Sequence, residues 1–380
     1  MYPIRTTQGI SLPLIALIAA ISASLLSQQA MAGYRQENLV SNIPGLAAYT
    51  DPNLVNPWGI SSSPVGPFWV SDNGTGLSTI YNTSGIPQGL VVTVPPPPPG
   101  SPVGTVAKPT GQVFNSNVTA FSGDRFIFAT EGGTIAGWQG GTVAATRVDN
   151  STSGVNYKGL AIDSTQDALF AANFASSGGL EKYGSSYNPL GSFIDPTLPD
   201  GFAPFNVQNI GGTIFVTFAK QGVGGDDMPG DGNGFVDKYD PNTNEFTRLI
   251  SNGPLNSPWG ITIAPSDFGE YSNALLVGNF GDGRINAFDP VTGVLLGDLL
   301  DDSGNPIVID GLWGLAFGNG GNGGEKNKLY FTAGLNDEAD GLFGSLSATV
   351  PEPGSLSLVV LGMWGLGFAS REYGKKKVFA

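Results

Sequence analysis

Neither cysteine nor histidine occurs anywhere in the 380 residues. Without cysteine there can be no disulfide, no thiolate metal site and no thiol nucleophile. Without histidine there is no Ser-His-Asp triad, no imidazole ligand, and no side chain that ordinarily titrates near neutrality. Acid–base chemistry is left to carboxylates, Tyr and Lys. A bound metal would have to be held by oxygen, which favours Ca²⁺ or Mg²⁺. Charge is also scarce, at 13% of residues, and it is one-sided: 17 Lys+Arg stand against 31 Asp+Glu, a net charge of −14. That balance argues against nucleic acid as a partner, which needs a basic face.

The chain is instead rich in glycine (57) and proline (28), yet 40% of its residues are hydrophobic and 22 are Phe. Such a composition can build a packed core from many short strands joined by tight turns. The stretch Ser257–Pro290 shows the unit. A turn leads into Trp259-Gly260-Ile261-Thr262-Ile263, a second apolar run Leu275–Val277 follows, and a Gly/Asp turn opens Arg284–Phe288. Alternating short strands with Gly/Asp/Pro turns mark an antiparallel meander.

The unit recurs six times. Its lead position near the start of the first strand is Gly59, Gly111, Gly159, Asn206, Gly260 and Gly314, spaced 47 to 54 residues apart. That is the size of a four-stranded propeller blade. The sixth copy runs out after three strands at Ala348, while the strand-like segment Glu37–Asn42 precedes the first copy. If it supplies the missing fourth strand, the ring closes and no sheet edge stays open. The expected fold is therefore all-β, a single six-bladed β-propeller over residues 36–348. A seven-bladed ring or two β-sandwiches suit the repeat length less well. Pro95–Pro99 is expected to leave the first blade as a polyproline II excursion, because proline cannot donate to a ladder.

Both ends carry address-like segments. Residues 1–32 hold Arg5, an apolar run Leu12–Leu26 and Ala30-Met31-Ala32, the pattern of a signal peptide and its cleavage site. Residues 350–377 hold Pro351-Glu352-Pro353, an apolar stretch Ser355–Ala369, then Arg371 and Lys375-Lys376-Lys377. The apolar stretch is expected to form a short transmembrane helix, with the basic cluster on the cytoplasmic side. This tail resembles the PEP-CTERM sorting signal of Gram-negative exported proteins. The resemblance implies handling by signal peptidase and an exosortase, with transient inner-membrane anchoring. It places the protein finally at the surface or outside a bacterium that makes exopolysaccharide. Residues 33–350 retain 12 Lys+Arg against 29 Asp+Glu, a net charge of −17.

The segments NLVSNIPGLAAYTDPNLVNPWGI and GLNDEADGLFG, with the Trp-Gly repeats, resemble a propeller family of bacterial exported proteins that has no assigned activity. In fold the wider likeness is to NHL and gluconolactonase-type propellers. The gluconolactonase likeness implies a divalent ion held in the channel by a Glu, two Asn and an Asp. The nearest positions are Asn56, Asn156, Asn206, Asn256 and Asp310, but no Glu stands at the entrance of the first blade. A second metal candidate is the Gly-rich insertion carrying Asp226, Asp227, Asp231, Asn233 and Asp237. Glycine allows the sharp turns there, and short Asp/Asn side chains bring oxygens together. Asp231 and Asn233 match the opening of an EF-hand loop, yet Phe235 takes the third ligand position and no Glu closes it. Asp337 and Asp340 form a similar acidic turn in the last blade. For both loops, Ca²⁺ binding and plain solvation stand as alternatives. Trp58, Trp259 and Trp313, each just before a lead glycine, suit either inter-blade packing or an aromatic platform for sugar rings.

Two functions follow. One is a non-catalytic surface or matrix scaffold that binds polysaccharide or another exported protein. The other is a Ca²⁺-dependent hydrolase or lactonase built on the channel Asn/Asp residues.

Overall fold

A computed structural model of the chain describes residues 33–97 and 105–349. The signal peptide at 1–32, the sorting signal at 350–377 with its membrane helix, and the end of the proline run all lie outside the described residues. Among the described residues no helix is long and apolar enough to cross a membrane.

The described residues form six sheets arranged as a six-bladed propeller. The inner strands are Pro57–Ser62, Pro109–Phe114, Tyr157–Ile162, Phe202–Ile210, Pro258–Ile263 and Leu312–Phe317. Each begins one blade, and antiparallel neighbours lead outward from it. In blade 6 the outermost long strand comes from the other end of the domain. Tyr34–Ser41 pairs antiparallel with Leu342–Ala348, and Tyr49–Thr50 adds a short parallel rung beyond it. The closing strand starts earlier than the expected Glu37, because Tyr34 is an anchor. Its ring packs between Phe268 and Tyr271 of blade 5, and its hydroxyl donates to Phe268 O at 2.9 Å. Three exposed polar residues, Arg35 to Glu37, separate that anchor from the apolar run and hide it in the sequence.

Apolar side chains gather chiefly between blades. Blades 1 and 2 share Trp69, Val92, Phe126 and Phe128, and blades 6 and 1 share Val40, Phe343, Phe68 and Tyr81. Trp69 stacks on Phe126 with ring centres 3.9 Å apart, which fills the wedge between two sheets. The repeated tryptophans do something different. Trp58 and Trp313 stack at 3.5 Å, and Trp259 meets both edge-on at 5.9 and 5.8 Å. With Phe174, Phe205 and Phe280 they form a buried aromatic plug at the centre of the ring. No face of these rings is open, so they cannot serve as a platform for a sugar.

The lead glycines explain how the plug can exist. A Cβ on Gly59, Gly260 or Gly314 would lie 2.5 Å from Thr110 O, Trp313 O or Trp58 O of the next blade. One on Gly111 or Gly159 would come closer still to Leu160 N or Asn206 Oδ1. In blade 4 the lead residue is Asn206, and its Nδ2 donates to Trp259 O at 2.8 Å. Five junctions thus bring backbones together at the axis where only glycine fits, and the junction of blades 4 and 5 is bridged by the Asn206 side chain.

Candidate functional site

The plug and the glycine girdle divide the axis into two ends. At the end where the inner strands begin, loops from several blades converge on Lys158. Lys158 lies in the inner strand of blade 3 and its side chain is only 3% exposed. Its ammonium is ion-paired with Glu131 and sits 4.9 Å above the Trp58 ring, while its carbonyl accepts from Trp259 Nε1 at 3.0 Å. Glu131 follows the second strand of blade 2 and also receives Asn73 Nδ2 at 3.1 Å and Lys108 Nζ at 3.6 Å. Burial alone would raise the Glu131 pKa. The charge and hydrogen bond of Lys158, helped by Lys108 and Asn73, outweigh it and hold this carboxyl below its usual range.

Glu338 completes the group from blade 6. Its Oε2 accepts from Asn56 Nδ2 at 3.1 Å, and Asn56 Oδ1 accepts from Trp313 Nε1 at 3.0 Å. Burial, then the charge of Glu131, push its pKa up to about 7; Asp226 and Asp227 add to this and Lys158 opposes it. The turn that presents Glu338 is strained. Asn336, Asp337 and Glu338 have φ of 56°, 52° and 65°, three consecutive left-handed residues without a glycine. It is held by Asp310, whose Oδ2 accepts from Asn336 N at 2.9 Å, and by Asp340, which takes Asn336 Nδ2 at 2.8 Å and Asn42 Nδ2 at 2.7 Å.

The sequence-derived channel residues are therefore scattered in role. Asn56 belongs to this group. Asn156 Nδ2 donates to Gly225 O at 3.1 Å and Asn256 Oδ1 accepts from Gly230 N at 2.7 Å, so both tether the acidic insertion. Asn206 holds blade 5, and Asp310 holds the strained turn. Among the acidic-loop candidates, Asp237 lies in the third strand of blade 4 and is ion-paired with Arg248, far from serving a loop ion. Asn233 Nδ2 donates to Met228 O at 3.0 Å, while Asp226 and Asp231 are exposed. Asp227 is partly buried, and its carboxyl is pushed up by that burial. Asp337 is exposed beside Asp340. Among the described residues no three carboxylates gather closely enough to hold a metal ion. Lys158, Glu131 and Asn73 were missed as a site by sequence reasoning. The only individual signal was Lys158, a charged residue in an otherwise apolar inner strand.

At the other end the inner strands finish around an open cup of about 380 Å³. Its polar lining includes Ser61, Gln112, Gln166, Gln208, Asn209 and Asn319, and none of its lining residues is ionisable.

The fold and these two ends define a closed six-bladed propeller with an internally neutralised charged mouth and a neutral cup. No family model matches the chain. It is 33% identical over 335 residues to one uncharacterised protein of Acanthamoeba polyphaga mimivirus, covering 84% of this chain and 81% of that protein. A second uncharacterised mimivirus protein is 30% identical over 340 residues, with 84% and 87% covered. The chain belongs to the family of these mimivirus proteins. Among solved structures it is similar to virginiamycin B lyase from Staphylococcus aureus, with TM-score 0.51, 13% identity, and 83% of this chain and 99% of that one covered. It is likewise similar to the PQQ-bound aldose sugar dehydrogenase of Streptomyces coelicolor, with TM-score 0.52, 13% identity, and 84% and 99% covered. At such identities the likeness is one of fold.

Proposed function

We propose that this protein is an exported, non-catalytic propeller that acts as a binding scaffold at the cell surface or in the extracellular matrix. Signal peptidase and an exosortase would act on its two ends, with transient inner-membrane anchoring between. Exopolysaccharide or another surface protein would be its partner. The observation that carries the non-catalytic reading is the ion-paired mouth. Glu131 is committed to Lys158, and Asn156, Asn206, Asn256 and Asp310 are spent on holding loops and strands. The sequence features at the two ends support the export reading.

The hydrolase or lactonase reading draws on one observation: Glu338, a carboxyl poised near neutrality on a strained turn beside a buried lysine. Such groups suit general acid–base work. The test is a panel of lactones and esters offered to the full chain with added Ca²⁺ or chelator, followed by a melting scan. The scaffold reading expects no turnover and a melting temperature indifferent to Ca²⁺. Turnover lost in Glu338→Gln would overturn it in favour of the enzyme.

A further inference from the structure

The cup at the far end combines a neutral lining with hydrogen-bonding groups that have no protein partner. Gln112 Nε2 is spent on Gly59 O at 2.9 Å and on Trp69 O, but Gln112 Oε1 is buried without a partner. Ser61 Oγ is also buried without a partner. Gln166 Oε1 takes Ser116 and Asn117, and no hydrogen bond of its Nε2 is seen among the described residues. The Gln208 amide, partly exposed, likewise makes none there. By contrast Asn209 and Asn319 donate to Ile162 O and to Ser63 O and Gly66 O, so they build the wall. A buried polar atom without a partner costs free energy unless something supplies one.

We infer that this cup is a binding site for a neutral, polyhydroxylated ligand, meaning the end or a short segment of an uncharged sugar chain. The inference rests on the scaffold reading above and names its ligand class. The Gln166 and Gln208 amides offer hydrogen-bonding groups at the cup's surface, with Gln112 Oε1 and Ser61 Oγ unpartnered just beneath it, which suits alcohol groups that both donate and accept. Ile60, Val113, Phe114, Leu160 and Ile162 supply apolar wall for the C–H faces of a ring. No ionisable side chain lines the space, so a carboxylate or ammonium ligand would be desolvated without compensation. The protein's negative charge also repels acidic polysaccharide. The volume is at the lower end of small-ligand sites, with room for about one or two sugar rings. The glycine girdle closes the floor, so a chain must enter by its end.

The experiment is calorimetric titration of the full chain with glucose, maltose, dextran and glucuronate. The variants are Gln208→Ala and Ser61→Ala, with Glu338→Gln as a control at the opposite mouth. Gln208 has no partner to lose, so its truncation leaves the fold intact. The expected result is binding of the neutral sugars but not of glucuronate. Each cup variant should weaken it about tenfold, the loss of one good hydrogen bond, and Glu338→Gln should leave it unchanged. Dextran binding as tightly as maltose would identify chain ends as the target, while free sugar alone would identify a soluble saccharide. Absence of neutral-sugar binding, or binding that both cup variants leave intact, overturns the assignment. Binding lost in Glu338→Gln moves the ligand to the mouth and leaves the scaffold function standing. Turnover of a bound sugar would sink the non-catalytic reading and leave the cup.

Discussion

Lys158→Met keeps the length of a buried side chain and its packing on Trp58 while deleting its charge. In the wild type the ammonium is 3% exposed and the partner Glu131 side chain 17% exposed, so neither charge has much water to fall back on. Removing one partner of such a pair leaves an uncompensated buried carboxylate and costs about 3–5 kcal/mol. In a domain of this size each kcal/mol moves the melting temperature by roughly 2 °C, so the expected fall is about 6–10 °C. The pH dependence should invert as well. Glu131 now titrates below its unfolded value, so its stabilisation is present above that value and is lost as pH falls through the folded pKa. In Lys158→Met burial, the largest influence, is opposed only by the exposed Lys108 and the Asn73 hydrogen bond, and the folded pKa is expected to rise above the unfolded one. Stability should then be greatest in acid and decline as pH rises. Adding Glu131→Gln should recover most of the loss, since replacing both partners is often near neutral. Calorimetric melts of the three proteins from pH 4 to 8 provide the assay. A single variant within about 0.5 kcal/mol of wild type, with no rescue by the double, would refute the claim that this pair is buried and coupled.

Three further outcomes are expected. Gly111→Ala should lower the melting temperature sharply or abolish folding, because its Cβ would collide with Leu160 N; Gly140→Ala, where nothing lies within 4 Å, should be neutral in the same scan. Starting the chain at Asn42 removes the strand that closes blade 6, and size-exclusion chromatography should then show aggregates in place of a monodisperse peak. Glu338 has a folded pKa of about 7, above its unfolded value, so its contribution is fully present in acid and is lost as pH rises through about 7. Glu338→Gln should flatten that part of the stability–pH curve, and an unchanged curve would mean that Glu338 is not the group responsible.

The repeat was legible because a physical constraint wrote it. A lead residue without a Cβ is required wherever two inner strands meet, so glycine recurs at 59, 111, 159, 260 and 314, and the spacing gave six blades. The closing strand could be read from an arithmetic deficit, three strands in the last copy and one spare at the start. The outer strands were less visible, since Val92–Thr93 is two residues long and Pro189–Phe193 is largely exposed. The direction of Trp58, Trp259 and Trp313 could not be read, because a bulky ring beside a glycine suits the wedge or the axis equally until the blades are placed. The charged mouth was illegible for the same reason. Asn73, Glu131, Lys158 and Glu338 come from blades 1, 2, 3 and 6, and no local window contains two of them.

The closure of blade 6 also sets an order of events. Ser41 Oγ donates to Gly341 O across 300 residues of chain, and the whole of that ladder has comparable separation. Contacts so distant in sequence repay their loop-closure entropy only after everything between them is in place, so folding should be slow for the size of the domain. A strand that leaves the ribosome first must wait for the last blade before it finds its neighbour. Until then both it and the edge of Leu342–Ala348 are bare templates for the wrong partner, a second copy included. The final act of folding in this molecule belongs to its earliest strand.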